Sequence, residues 1–345
     1  MTDAHKHAFL SKLPTRGNPW PNASAHVTRG VGAVLRIERV RAAGPIRCDA
    51  LPSIDPDLLG EFLDAASAAD AAFVSLAELR TRLLAKDAGR AACLTFDGAD
   101  RSLVTQLAPA LVARGLPLTV FVSPEAMDAD APHWRYCLEA LAEKADRIGV
   151  AVRGQTYAGP CRTAEEASNT LEAVVPPLWS HPEALVRRAV FALCEADGVD
   201  MAALAQHTLG WDDLRALAKT PLISLGLLAP NCHAAGAASY DAVRDGFAAA
   251  LARFEEQLGA KPAHLAFGAA WHGFVEPRDL EIAEKLGFKA ACLPAGGPIF
   301  NEDATDFTVL PRMMLSDAPD AVLDAQAACG AGLARSAFAR AVNAR

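Results

Sequence analysis

No stretch of about 18 or more apolar residues occurs in the 345-residue chain, so no segment has the composition of a membrane-spanning helix. No cluster of four or more Lys and Arg residues offsets the acidic balance of 33 basic against 41 acidic residues. The resulting net charge of −8 argues against an electrostatic grip on nucleic acid or an anionic membrane. No C-x-x-C pair occurs among the eight cysteines, which stand far apart, several in apolar runs such as those around Cys93 and Cys292. That pattern excludes a disulfide framework and points to free buried thiols in a reducing compartment. Met1 to Pro14 contains no apolar h-region. The expectation is therefore a cytoplasmic protein with no transmembrane segment and no nucleic-acid partner. No internal repeat, no low-complexity tract beyond an alanine bias and no Gly/Ser linker divides the chain.

What is present is ordinary for a soluble globular protein, with 52% hydrophobic and 21% charged residues. The length suits two domains of about 150 residues, or one α/β barrel of about 200–250 with additions. Residues 1–28 are rich in Pro, Asn, Arg and His and read as a loose leader. A strand is expected over Val31–Val40 and a helix from Asp55-Pro56, with Asp55 as N-cap. Phe73 to Leu76 is a short β-like run whose Ser75 caps a helix to Leu84. Ala91–Asp97 reads as a buried strand, 102–114 as a helix ending at Gly115, and Leu116–Ser123 as the next strand. Strand, helix and strand at this spacing are the mark of parallel βα units.

From about residue 130 to 218 helical patterns dominate, at 134–145, 163–174, 183–195, 200–207 and 211–218. A short stretch at 148–157 has the pattern of a hairpin. The βα order then resumes. Strands are expected at Pro221–Leu228, His264–Gly268, Phe288–Leu293 and Phe307–Leu310, with helices at 240–258 and 276–286. The expected organisation is one domain over 29–330, with a helical insertion at 130–218 on the barrel mouth. A tail follows at 331–345, helical from Arg335.

Chemistry in a parallel barrel gathers at the C-terminal ends of the strands. Asp97 ends an apolar strand there. It suits a general base, and equally a turn or cap aspartate serving the helix from 102.

Leu94-Thr95-Phe96-Asp97 resembles the opening of the L-T-F-D-D-G motif of the polysaccharide deacetylases, the NodB-like enzymes of carbohydrate esterase family four. Several other segments agree in order and spacing. Leu35 to Val40 resembles the M-Y-H-R-V strand, and Phe73-Val74-Ser75-Leu76 the segment ahead of the motif. Gly115 to Val122 resembles G-x-P-A-T-x-F-V, and Trp211 to Leu214 the W-x-E-L segment. Gly287 to Ala291 resembles G-F-x-x-A, and Leu310-Pro311-Arg312 the closing L-P-R. The resemblance spans residues 31–315. It implies a distorted (β/α) barrel in the α/β class and a divalent metal, such as zinc, that activates water to remove acetyl groups from sugars.

The departures from that family bear on its chemistry. The positions of its three metal ligands are occupied by Gly98, Leu225 and Ala229, the last two within Ser224 to Asn231, which is similar to S-H-x-x-x-H-P-N. None of these side chains has a donor for zinc. Leu265 to Ala270 replaces F-A-Y-P-Y-G, and Glu38 replaces the first-strand histidine. Asp97, at the family's base position, Arg39 and Arg312 are retained.

No metal cofactor is expected. The leading expectation is a deacetylase-like protein without the metal-dependent reaction. Its partner would be an acetylated sugar, a sugar precursor, or an active enzyme of polysaccharide assembly. The alternative is a hydrolase in which Asp97 works without metal or with a relocated one, converging with one or two of Glu38, Asp100, His233 and His272. Candidate substrate contacts are Glu38, Arg39, Asp100, Trp271, His272 and Arg312. Trp271 is either a sugar-stacking ring or a cover for the barrel rim. Cys232 beside His233 lacks an orienting third group and does not make a nucleophile–base pair.

Overall fold

The computed structural model describes residues 31–329 except 43, 45, 47–51, 88, 130, 231–238 and 269–274. The expected leader, the tail, and Trp271, His272, Cys232 and His233 lie outside the described residues.

Eight parallel strands follow the order β10-β9-β8-β7-β4-β3-β1-β11. These are β1 (Gly32–Ile37), β3 (Ala91–Asp97), β4 (Leu118–Val122), β7 (Ile223–Leu228), β8 (His264–Ala266), β9 (Ala290–Cys292), β10 (Thr308–Leu310) and β11 (Met313–Met314). A ninth, β2 (Ala72–Phe73), takes the edge of β3 at Ala91 and Ala92, before β4 takes it over at Leu94. β10 and β11 lie at opposite ends of this order, yet only Pro311 and Arg312 separate them in the chain. Three Cα steps span at most about 11 Å. The sheet must therefore curl until its two edges nearly meet, which gives the expected distorted (β/α) barrel, with Arg312 in the seam.

Side chains alternate across each strand. Val34, Cys93, Phe121, Ala266, Cys292 and Leu310 form a cluster inside the barrel. Leu35, Ile37, Leu94, Phe96, Val120 and Leu227 face the helices and form the main core with Phe62, Leu107, Phe247 and Phe267. Helix ends follow local chemistry. Asp55 accepts from the Asp57 N–H at the start of α1 (Pro56–Ala68), and Ser75 from the Glu78 N–H at the start of α2 (Leu76–Leu84). The 102–114 helix opens as a π-helical turn, Leu103–Leu107, before α3 (Ala108–Ala113). Pro109 cannot donate the hydrogen bond that a regular helix needs at that point.

The insertion contains α5 (Trp134–Lys144), a hairpin of β5 (Arg147–Val152) and β6 (Gln155–Pro160), α6 (Ala164–Leu178), α7 (Glu183–Ala196) and α8 (Met201–Ala205). The short α4 (Pro124–Met127) precedes it. It has its own apolar core, including Trp134, Leu138, Leu171, Val175, Val186 and Val190. α9 (Trp211–Leu217) leads back to β7, and α10 (Tyr240–Leu258) ends at Gly259 in the left-handed conformation, φ 71°. α11 (Pro277–Lys285) precedes β9. β11 and α12 (Pro319–Ala328) were not expected from the sequence. A two-residue strand is too short to show alternation, and α12 is rich in alanine with few apolar anchors. Among the described residues no helix is long and apolar enough to cross a membrane.

Two predictions follow from this packing. A Cβ at Gly226 would stand 2.5 Å from the Phe121 ring, which is fully buried inside the barrel. Gly226→Ala should lower stability by about 1–3 kcal/mol in urea denaturation. His264, buried at the start of β8, has its pKa pushed down from 6.5 to about 4 by burial and then by Arg80. The unfolded chain therefore takes up a proton near pH 6.5 that the folded chain refuses until about pH 4. The contribution is complete above pH 6.5 and declines by about 3 kcal/mol on acidification to pH 4. His264→Leu should remove that part of the pH dependence, read from denaturation midpoints across the same range.

Candidate functional site

The apolar floor of the barrel gives way to a polar layer at the C-terminal ends of the strands. Alternation along β1 and β3 puts Arg36, Glu38, Thr95 and Asp97 on the same inner face as Val34 and Cys93. Arg312 enters this layer from the seam, 1% exposed. Its two terminal nitrogens donate to the two oxygens of Asp97, at 2.6 and 2.8 Å. It also donates to the carbonyls of Phe267, at 2.8 Å, and Leu293, at 2.9 Å, and lies 5.7 Å from the Phe121 ring centroid. Burial works against the Arg312 charge, and Asp97 outweighs it, holding the pKa above the ordinary arginine value.

This fork-to-fork geometry is the strong form of an ion pair. It differs from the cap reading of Asp97. Each carboxylate oxygen accepts from one arginine nitrogen and keeps a further lone pair, and the carboxylate does not cap the helix after 102. The turn role belongs to Asp100, whose Oδ1 accepts from the Ser102 N–H at 2.9 Å.

Glu38 is also held. Arg135 of the insertion donates to it at 2.9 Å and Arg36 stands 3.7 Å away. Burial opposes ionisation of Glu38, but Arg135 and then Arg36 prevail and keep the carboxyl below the usual carboxylate range. Arg39 turns from the strand end to Glu139 of α5, at 2.7 and 3.3 Å, with its guanidinium 4.9 Å from the Tyr136 ring centroid. Arg41 pairs with the same Glu139. Arginine–carboxylate pairs thus fasten the insertion to the barrel at α5, and backbone hydrogen bonds of Arg101 with His207 and Ala99 with Leu209 do so at its far end.

Between the strand ends and the insertion lies a cavity of about 140 Å³. Glu38, Asp97, Gly98 and Asp100 line it from β1 and β3, Leu228, Ala229 and Gly268 from β7 and β8. The insertion contributes His133, Trp134, Arg135 and Tyr136 at the start of α5, with Trp179, His181, Glu183 and Arg187 from α6 and α7. Arg39 and Arg312 lie behind this wall, and Trp271 and His272 are outside the described residues. The sequence reading missed the contribution of α5. The run His133-Trp134-Arg135-Tyr136, one of whose residues is among only three tyrosines in the chain, was the available signal.

One of the expected ligand positions needs correction. Leu225 pairs with Val120 and packs on the helix-facing core, so it points away from the barrel interior. Gly226 and Leu228 share the inner face, and Leu228 and Ala229 reach the cavity. The match to S-H-x-x-x-H placed Leu225 on the wrong side of the strand, because a motif match ignores the period-two alternation.

A zinc ion of the kind the fold implies does not fit the described residues. Gly98, Leu228 and Ala229 offer no donor, Asp97 is occupied by Arg312 and Glu38 by Arg135. Among the described residues no three His, Cys, Asp or Glu side chains come together as a ligand set.

No protein-family model matches the chain, and no curated protein sequence matches it. Among solved structures, IcaB from Ammonifex degensii superposes with a TM-score of 0.53 at 16% identity, over 87% of this chain and 97% of that one. The deacetylase PplD from Streptococcus pyogenes, solved in complex with acetate, superposes at 0.50 and 13% identity, over 82% and 92%. The chain has the fold of the polysaccharide deacetylases, the NodB-like barrel. IcaB and PplD are among the proteins it is similar to, and at these identities the likeness is one of fold.

Removing Arg312 leaves Asp97 buried without its partner. Arg312→Met should cost about 3–5 kcal/mol in urea denaturation, and the double variant Asp97→Leu/Arg312→Met much less than the sum of the two single changes. Additive losses would mean that the pair is not coupled.

Proposed function

We propose that this is a polysaccharide-deacetylase-like protein that binds an acetylated sugar or sugar precursor at its barrel mouth without the metal-dependent hydrolysis of its fold relatives. In this reading it serves polysaccharide metabolism as a carbohydrate-binding protein or as the partner of an active enzyme. The observation that carries the proposal is the bidentate Arg312–Asp97 pair, which engages both oxygens of the carboxylate at the base position. Metal-bound water loses its proton near neutral pH because the metal lowers its pKa to about 7. Among the described residues no three donors group as a site for such a metal. The location of the cavity at the C-terminal strand ends supports a retained binding role. The acetate in PplD fits the same view, since an acetyl-sized group occupies that protein.

A hydrolase with a relocated metal has one observation in its favour: Glu38, Asp97 and Asp100 line a single cavity. Elemental analysis of the purified chain, followed by zinc, cobalt and nickel titration, separates the two readings. The expected result is no stoichiometric metal, no binding at micromolar concentrations, and sugar binding that is unchanged by a chelator. A stoichiometric metal accompanied by acetate release from an acetylated sugar would replace the binding role with the catalytic one.

A further inference from the structure

The apolar core of the insertion contains a place where sulfur meets sulfur. Cys137 on α5 and Cys194 on α7 are both 0% exposed. The Cys194 thiol donates towards the Cys137 carbonyl at 3.9 Å, and the two thiols stand within hydrogen-bond reach of each other. The Cys137 thiol donates to Met201 Sδ of α8 at 3.9 Å. Three helices thus bring three sulfur atoms together, in a chain with only eight cysteines and five methionines. Leucine and valine fill the neighbouring positions of this core, as at Leu138, Leu171, Val175 and Val190. Met201 opens the five-residue α8 and is only partly buried, so the cluster reaches towards the surface at this one side chain.

Thiolate and thioether sulfurs are soft donors. Two sulfurs bound to one ion at about 2.3 Å lie about 3.8–4.0 Å apart at tetrahedral to trigonal angles. The Cys137–Met201 separation of 3.9 Å already has that value, so α5 and α8 need little rearrangement to share an ion. The donor set selects among metals. Among the described residues no carboxylate or imidazole joins the two cysteines in a set of three, which leaves zinc short of its usual four ligands and gives nickel none of the nitrogen or oxygen donors it favours. Copper in its monovalent state is the ion that thiolate and thioether sulfur select. The local field has the right sign, since Asp197, at the end of α7, places negative charge near Cys194.

We infer that Cys137, Cys194 and Met201 form a binding site for a soft monovalent metal ion, Cu(I), in the core of the insertion. On binding, the S–H bonds of Cys137 and Cys194 break, two Cu–S bonds form, and two protons leave to solvent. Met201 adds a lone pair and has no proton to lose, and no electron changes hands. The ion ties α5, α7 and α8 together away from the barrel mouth, so the inference stands apart from the sugar-binding reading above.

The test uses the full chain, reduced and kept free of oxygen, and titrated with Cu(I) against bicinchoninate, whose coloured complex fades as the protein takes the ion. The wild type should hold one Cu(I) per chain more than Cys194→Ala, with a raised thermal midpoint when loaded. X-ray absorption of that ion should show sulfur neighbours at about 2.3 Å. Met201→Leu, close in volume, should keep the midpoint of the metal-free chain and the stoichiometry, and weaken the ion about tenfold. Equal Cu(I) uptake by the wild type and Cys194→Ala would overturn the site, since the other cysteines would then account for all binding. Full affinity in Met201→Leu would overturn the three-sulfur assignment. A zinc ion held by the wild type and lost in Cys194→Ala would overturn the choice of a monovalent ion, and would be told apart by that loss from a zinc at the barrel mouth.

Discussion

The Arg312–Asp97 pair is the interaction on which the upper half of the barrel depends. A guanidinium in the barrel interior must be neutralised and must place its N–H donors, or the cost of burial is several kcal/mol. Here Asp97 supplies the charge, and the carbonyls after β8 and β9 take further donors. One side chain thereby joins the ends of three strands to the two-residue seam between the sheet's edges. The same contact that closes the barrel engages both oxygens of the carboxylate at its mouth.

Above that layer ion pairs and backbone hydrogen bonds join the barrel to the insertion. Glu38 meets Arg135, and Glu139 meets Arg39 and Arg41, across the boundary between barrel and insertion. The insertion is held in register by directional contacts, while its own apolar core keeps its helices together. The gap left between them is the cavity. Its wall carries Glu38, Asp97 and Glu183, each paired with an arginine, beside Asp100, His133 and Tyr136.

Much of the fold was legible because the signals were local. β3 fell on Ala91–Asp97 as expected, and α10 ended at Gly259, where a left-handed residue stops a helix. The site was legible only in part. Glu38, Asp97 and Asp100 reach the cavity, since strand ends in a parallel barrel converge there. Arg39 and Arg312 do not, because each is drawn behind the wall by a carboxylate distant in sequence. Leu225 was assigned by motif, and the alternation of β7 turns it to the outer face.

By itself the sequence determined the order of strands and helices, the interruption by a helical segment, and the absence of donors at Gly98 and Ala229. Those properties follow from side-chain identity and short-range periodicity. Only the tertiary structure decided that Asp97 is engaged by Arg312, 215 residues away, and that His133 and Tyr136 face the barrel mouth. Which charges cancel depends on which side chains meet when a sheet curls and an insertion folds back over it, and no spacing along the chain records that distance.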